Sequence, residues 1–296
     1  MAHSRLEGYK RTTSYLFLLP ALLLFAVVIL YSALSGLAYS FTDWNGFGGK
    51  INFVGLKNYA RMARDNVFSI SVLNTLEITV VNVLVQNSLA LFLAYILDGR
   101  IKGKKFFQAL FFIPSILSSV VIGYMWMYIL NPTVGSLHFL FRSVGFMEKI
   151  GFLSDPKLAL GTVIGTIIWQ YTGYKMIVFI GGMQSIPVEL HEAAQIDGAS
   201  GAARFWRITF PLLAPALTIN VFLSLVNSIT IFEHVYVMTN GGPGNATETI
   251  STMIYNTAFN ANQLGYGTAL SSVLFVVVMT IGVIQLKFMR SREVEF

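Results

Sequence analysis

ELHEAAQIDGASGAARFWRITFPLLAP, residues Glu189 to Pro215, is the long polar interruption in the second half of a chain that is otherwise mostly apolar. Hydrophobic residues make up 55% of the 296 residues and charged residues only 11%, and the mean hydropathy is +0.65. Soluble globular domains carry about 25% charged residues. The composition therefore predicts one integral-membrane domain, in which the quoted stretch is a loop between apolar spans.

Six apolar runs are long enough to cross a bilayer, which takes about 20 helical residues. The first run is much longer than the core of a secretory signal, which is about 7 to 15 residues, and is therefore interpreted as a retained span. The pattern predicts an all-α membrane domain over residues 15–288, with a terminal segment at 1–14 and a tail at 289–296. The six predicted spans are Tyr15–Phe41, Ser71–Leu97, Phe106–Leu130, Leu158–Gly181, Leu212–Val237 and Thr268–Phe288.

The basic residues indicate how the spans are oriented, because Lys and Arg near span ends stay in the cytoplasm. Four of them lie between Asp98 and Lys105, whereas the loop from Met238 to Gly267 has none. With the N-terminus inside, the inner flanks hold twelve basic residues and the outer flanks seven. We expect both termini in the cytoplasm of a multi-pass protein of the cell membrane, surrounded by lipid. The net charge of +6 then reflects topology rather than nucleic-acid binding.

The quoted loop has the composition of a helix, a turn and a second helix. Pro187 suits a first helical turn, and Glu189 and Glu192 lie near the positive end of that helix dipole. Asp197–Gly198 favours a chain reversal, and Ser200 can cap the helix that follows. A solvated hairpin and a docking site for another protein both fit this pattern. The pair Ala193–Ala194 favours docking, because small side chains beside a charge allow close approach.

The spacing of these residues also resembles a known family. Glu192-Ala193-Ala194, three residues, Gly198, nine residues and Ile208-x-Phe210-Pro211 resemble the EAA loop of bacterial ABC importer permeases, EAA-x3-G-x9-I-x-L-P, with Phe210 in place of leucine. Further stretches are similar to the carbohydrate branch of these permeases, and the Gly-Gly-Pro loop is similar to the maltose-type first permease subunit. These stretches are MQSIPVELHEAAQIDGAS from Met183, IPS at 113–115, NPTVG at 131–135 and TNGGPGNATET at 239–249.

The resemblance implies a six-span, type I ABC importer permease fold that transports a sugar and is not itself an enzyme. It implies that two separate ATPase subunits bind ATP and Mg, that this chain needs no cofactor, and that the partners are a second permease and an extracytoplasmic solute-binding protein. The sequence has no G-x4-G-K-[ST] phosphate loop of its own. In the implied mechanism, the loop 185–211 carries the coupling helix that docks on an ATPase. The implied coupling residues are Glu189, Glu192, Ala193, Ala194, Asp197 and Gly198.

Polar side chains inside two predicted spans are candidates for substrate contact, because they are expensive in lipid and usually face a cavity or another helix. Amides and hydroxyls match sugar hydroxyls, and aromatic faces cover the apolar side of a sugar ring. The alternative is that each one hydrogen-bonds between packed helices. The candidates are Trp169, Gln170, Tyr171 and Tyr174 in the fourth span, and Asn220, Ser224, Asn227 and Ser228 on one face of the fifth.

Two other polar features are assigned packing or peripheral roles. The second span has a stripe that we expect to pack against neighbouring helices or a partner subunit, formed by Thr75, Thr79, Asn82 and Gln86. Lys175 is expected to extend its ammonium group towards the cytoplasm.

A secondary transporter and a membrane-embedded enzyme are the alternative functions. An ion-coupled carrier is expected to have acids within its spans, and here only Glu77 and Glu233 lie within or near them. An enzyme would require His, Asp or Glu at metal-ligand or acid–base spacing, and the four histidines are scattered. The absence of cysteine excludes disulfides and thiolate metal sites.

Overall fold

The computed structural model describes residues 18–290, except 49, 100 and 146–149, with side chains described as far as Lys287. In these ranges the chain is helical, and an isolated bridge between Thr42 and Phe53 is its one strand-like pairing. The helices are α1 (Leu18–Tyr39), α2 (Lys57–Met62), α3 (Asn66–Asp98), α4 (Lys104–Ile116), α5 (Ser119–Ile129), α6 (Ser136–Ser143), α7 (Pro156–Gln184), α8 (Val188–Ile196), α9 (Gly201–Leu212), α10 (Ala214–Ile229), α11 (Glu233–Met238), α12 (Ile250–Tyr255, continued by a π-helical turn at Asn256–Asn260) and α13 (Leu264–Arg290).

The chain divides into two compact units. The first consists of Met1–Arg64 with Ile254–Val273, and the second of Asp65–Met253 with Leu274–Phe296. In the described part of the first unit, Asn58 ties α2 to the end of α1, because its side-chain amide donates to the carbonyls of Ser40 (2.8 Å) and Thr42 (2.9 Å). The most apolar stretch of α1 buries none of its residues. This helix therefore presents its apolar surface to lipid or to another chain.

In the second unit, α7 is the central helix, and it runs through two apolar clusters. The helix begins where Asp155 accepts a hydrogen bond from the amide of Lys157 at 2.9 Å and Pro156 supplies a preset first turn. Members of both clusters come from α3, α7 and the segments that follow α9. One cluster is Ile78, Leu130, Leu160, Val163, Ile164, Ile167, Ile231, Val235 and Met238; the other is Ala90, Ala94, Leu97, Met176, Phe179, Ile180, Met183, Leu213 and Ala216.

Gly173 sets how closely α7 can approach α4. A Cβ atom at this position would collide with the main-chain carbonyl of Phe111. Glycine is therefore required at this crossing, since any side chain would push the two helices apart.

The six-span prediction is confirmed as an upper count, with two changes of shape. Four described helices are straight enough, long enough and apolar enough to cross a membrane: Leu18–Tyr39, Asn66–Asp98, Pro156–Gln184 and Leu264–Lys287. The other two predicted spans are bent pairs, α4 with α5 at 98° and α9 with α10 at 66°. The count reaches six only if each bent pair is one span.

The predicted span Phe106–Leu130 is not one continuous helix. The helix ends at Ile116, Leu117 and Ser118 adopt extended dihedral angles, and a new helix begins at Ser119. Pro114 weakens the last turn of α4, because it has no amide hydrogen and its ring opposes the carbonyl four residues earlier. Hydropathy does not register this break, since the residues around it remain apolar.

The boundaries predicted for the fifth span, Leu212–Val237, were also wrong. The long helix of this region, α10, begins at Ala214, with Pro215 in its first turn, and ends at Ile229. The apolar run continues through a non-helical segment into the short helix α11. Apolar composition thus extends past the helix end, because Ile231 and Val235 are buried in a core cluster rather than exposed to lipid.

Candidate functional site

The predicted coupling segment forms the helix-turn-helix that its sequence indicates. Helix α8 ends in a Schellman motif. The amide of Ala199 donates to the carbonyl of Ala194 (2.9 Å), and the amide of Gly198 donates to the carbonyl of Gln195 (3.1 Å). Gly198 has φ +76°, in the left-handed region that glycine occupies without steric cost. Ser200 then caps α9 by accepting from the amide of Ala203 at 3.3 Å. Pro187 lies one position before the first turn, at the N-cap of α8.

The outer face of α8 combines acidic and apolar groups. Glu189, Glu192 and Ala193 are exposed, as are Asp197 and Gly198 beyond the helix end. Ala194 is the buried residue of the helix, and it anchors α8 to the rest of the unit. Ile196 is 86% exposed, which is costly for a branched apolar side chain in water. A surface of this kind is typical of a site that another protein covers.

A cavity of about 550 Å³ lies beside the coupling segment. It is larger than the cavity of about 40 Å³ beside Tyr174 and Asn227. Charged, aromatic and small residues from the end of α3 and from α7 to α9 surround it. They include Tyr95, Asp98, His191, Arg204 and Phe205.

Ser224 has no capacity left for a ligand. A hydroxyl has one donor and two acceptor lone pairs. The Ser224 hydroxyl donates to the carbonyl of Asn220 (2.7 Å) and accepts from the amide of Asn87 (2.8 Å) and from the ammonium group of Lys175. It therefore joins α3, α7 and α10 at one point in the interior.

Asn220 and Ser228 are likewise hydrogen-bonded between helices. The side-chain amide of Asn220 donates to the carbonyl of Lys175 at 3.1 Å, and Ser228 accepts from the amide of Asn82 at 3.0 Å. Both side chains are almost fully buried. Three of the four polar residues on the predicted face of α10 thus have packing partners in this conformation.

Gln170 and Tyr171 support the break between α4 and α5. The amide of Gln170 donates to the carbonyl of Leu117 at 3.0 Å, and the Tyr171 hydroxyl is hydrogen-bonded to that of Ser119 at 2.8 Å. The Oε1 atom of Gln170 lies 2.6 Å from Nε2 of His234, so Nε2 is the donor. These contacts satisfy main-chain and side-chain polar groups that a broken helix would leave unpaired in an apolar environment.

The remaining three substrate candidates are exposed. Trp169 is 42% and Tyr174 is 43% exposed, and Asn227 is exposed with no hydrogen-bond partner among the described residues. Tyr174 and Asn227 line a cavity of about 40 Å³, which is room for a few small polar atoms and far below the roughly 300 Å³ of a small-ligand pocket. In this conformation the cavity cannot hold a sugar, although it can admit small polar groups.

The predicted placement of Lys175 was wrong, and the predicted role of the α3 stripe was confirmed. The Lys175 side chain is buried and bonded to α10 rather than extended to the surface. Its four-carbon chain is too far from a span end to reach water once α10 packs across it. In α3, Thr75 accepts from the amide of Ile250 (3.1 Å) and Gln86 donates to the carbonyl of Ile167 (3.1 Å), so the stripe packs against neighbouring segments.

Asn87 and His234 are polar residues of the interior that the sequence interpretation did not single out. Asn87 is one of the donors to Ser224, and His234 is fully buried beside Gln170. The sequence feature that could have identified them is the free-energy cost of placing an amide or an imidazole in an apolar span. Asn87 falls outside the i, i+4 stripe of α3, and the four histidines are too scattered in the sequence to indicate a role for His234.

Comparison with known proteins identifies the family. The model of the family described as "Binding-protein-dependent transport system inner membrane component" matches residues 86–292, which contain α7, the coupling segment and α10. The chain belongs to this family.

Relatives of this inner membrane component match along almost the whole chain. The probable starch degradation products transport system permease protein AmyD of Thermoanaerobacterium thermosulfurigenes is 34% identical and covers 95% of both chains. The sn-glycerol-3-phosphate transport system permease protein UgpA of Agrobacterium fabrum is 35% identical and covers 94% of both. A chain of a bacterial ABC transporter involved in the import of the acidic polysaccharide alginate matches with TM-score 0.85 at 23% identity, covering 96% of this chain and 98% of that one. The match shows that the fold is that of an importer permease.

Proposed function

We propose that this binding-protein-dependent permease subunit imports a sugar or oligosaccharide. Permeases named for starch degradation products and for sn-glycerol 3-phosphate are about one-third identical to it over most of both chains, which supports a polyhydroxylated substrate. The proposed complex contains a second, similar permease, two ATPase subunits and an extracytoplasmic solute-binding protein. The chain itself contributes transport rather than catalysis, while its partners bind ATP and Mg.

The observation that carries the mechanism is the rigid coupling segment. Helix α8 is closed by the Schellman motif at Gly198, followed at once by the cap of α9, so displacement of α8 is transmitted to α9 and α10. We propose that α8 docks in a cleft of an ATPase, with Glu192 facing a basic residue there. Closure of the two ATPases on ATP would then bring the coupling helices together and rock the spans between inward-open and outward-open states.

The proposed orientation follows from this docking. The loop that contains α8 must face the ATPases in the cytoplasm, which also puts both termini there. The four basic residues between Asp98 and Lys105 also indicate that this side of the membrane is the cytoplasm. The loop after α11, which has no Lys or Arg, then faces the binding protein.

The proposed substrate path runs along the exposed face formed by Tyr174 and Asn227, which line the same small cavity, and continues to Trp169, which is exposed elsewhere on α7. Aromatic rings and a free amide offer stacking and hydrogen bonds to a sugar. The buried members of the predicted set, Gln170, Asn220, Ser224 and Ser228, would position that face through their interhelical bonds, with Tyr171 at its edge. A second permease would supply the other side of the path.

The test is reconstitution of the chain with its partner permease, ATPase and binding protein in liposomes. We expect uptake of a labelled sugar from a panel to require ATP on the coupling-helix side and the binding protein on the other. Glu233→Lys provides a control for Glu192→Lys, because it makes the same charge change at an exposed acid outside the coupling segment. Uptake without ATP, or equal uptake by both variants, would contradict the proposal.

A further inference from the structure

Lys175 is a buried cation in the middle of the central helix, and only 4% of its side chain is exposed. Its Nζ atom donates to the Ser224 hydroxyl and to the carbonyl of Asn220 at 3.4 Å. Among the described residues no Asp or Glu forms an ion pair with it. An ammonium group without a counter-ion is costly in an apolar interior, so a lysine at this depth indicates a functional role.

The Lys175 ammonium group has hydrogen-bonding capacity that the chain itself does not use. It carries three N–H donors, and two of them have partners. Both Lys175 and Asn82 line the 40 Å³ cavity. The Oδ1 atom of Asn82 is buried there without a hydrogen-bond partner. The cavity therefore presents one positive donor and one acceptor to whatever enters it.

A neutral sugar hydroxyl would satisfy only part of this pair. An anionic oxygen on Lys175 would form a charge-assisted hydrogen bond and neutralise the buried charge. A hydroxyl on the same molecule could donate to Asn82. Uronates and sugar phosphates are compounds that carry an oxyanion and hydroxyl groups a few bonds apart.

We propose that Lys175 binds the anionic group of an acidic sugar on the translocation path, with Asn82 accepting a hydroxyl of the same molecule. This rests on the proposed function and narrows its substrate class to sugars bearing a carboxylate or a phosphate. The small cavity admits the anionic group and the hydroxyl that donates to Asn82, while the sugar ring lies against Tyr174 and Asn227, which line the same cavity and are exposed. Lys175 thereby selects substrates by charge inside the membrane.

The experiment measures binding by calorimetry to the complete, detergent-purified complex without its binding protein. The probes are a uronate tetrasaccharide, sn-glycerol 3-phosphate and neutral maltotetraose. Wild type is expected to bind at least one acidic probe more tightly than maltotetraose. Binding of the uronate indicates a carboxylate site, and binding of sn-glycerol 3-phosphate indicates a phosphate site. Lys175→Gln should weaken that binding about ten- to a hundredfold, because it removes a charged hydrogen bond.

Two matched variants separate charge selection from a packing role. Lys175→Arg keeps the charge and should retain the preference for the acidic probe. Lys157→Gln makes the same change at an exposed position of the same helix and should leave all affinities unchanged. Thermal stability and assembly yield are measured for each variant, and Lys175→Gln is expected to assemble because glutamine still donates hydrogen bonds.

The proposal is overturned if wild type prefers maltotetraose or binds no acidic probe, or if Lys175→Gln changes acidic and neutral affinities equally. The proposal is also overturned if Lys175→Gln fails to assemble and removal of a carboxylate of the second permease has the same effect. Lys175 would then be part of an ion pair between subunits. If the complex takes up a neutral sugar with ATP, and Lys175→Gln leaves that uptake unchanged, the importer function stands and the anionic site is rejected. Absence of ATP-dependent uptake in wild type would reject the importer, while the calorimetry would still decide on Lys175.

Discussion

The side-chain amide of Gln170 donates to the main-chain carbonyl of Leu117 at 3.0 Å, across 53 positions of sequence. Leu117 lies where α4 stops and α5 has not yet begun, so its carbonyl has no helical partner. The same Gln170 accepts from His234, which connects the break to α11. A residue that fits a sugar site by type and depth thus holds a broken span in place.

We predict that Gln170→Leu destabilises the assembled permease by about 0.6 to 2 kcal/mol, because it leaves the Leu117 carbonyl and the His234 imidazole without their partner. The measurement is thermal unfolding of the purified complex. Gln184→Leu is the matched control, since Gln184 is exposed at the end of the same helix. In a double-mutant cycle with His234→Leu, the two effects should be less than additive. Fully additive losses would show that the two side chains act independently.

Gly198→Val should weaken association with the ATPase and reduce uptake. A non-glycine residue in the left-handed conformation costs roughly 1–2 kcal/mol, and a β-branched one is the least tolerated. Co-purification with the ATPase measures the effect. Gly201→Val is the control, because Gly201 is exposed, lies in the first turn of α9, and has open space where a Cβ would lie. Equal association of both variants would remove the turn from the coupling mechanism.

The proposed orientation can be measured with single cysteines, since the chain has none of its own. Ala202→Cys and Ala261→Cys are conservative changes at exposed positions. A membrane-impermeant maleimide should label position 202 from the cytoplasmic side and position 261 from the opposite side. The six-span arrangement fails if both positions react from the same side of the membrane.

Asn227→Leu is expected to lower uptake about ten- to a hundredfold with little change in stability. The side chain is exposed and has no described hydrogen-bond partner, so its amide is free for a sugar, and losing that bond costs about 1–3 kcal/mol. Basal ATP hydrolysis should persist, because the proposed ATPase sites lie in other subunits. Uptake, hydrolysis and thermal unfolding are measured together.

Ser224→Ala is the opposite case on the same helix. It removes a hydroxyl that is already fully bonded and leaves Asn87 and Lys175 without their shared acceptor. We expect lower thermal stability and unchanged substrate preference in the protein that survives purification. A change in preference without loss of stability would place Ser224 in the substrate path.

The sequence alone is enough to predict the membrane class, the apolar segments and the local structure of the loop 185–211. These features are local: a run of about 20 apolar residues spans a bilayer whatever surrounds it, and the turn at Gly198 and the cap at Ser200 depend on neighbours a few positions away. Where the third and fifth spans break, and which polar side chains are paired, depends on how the helices pack. Ser224, Asn87 and Lys175 meet from three helices, and no periodicity within one helix shows which faces will be brought together. A polar group in an apolar span must find a partner, but helix packing decides whether that partner is another side chain or a substrate.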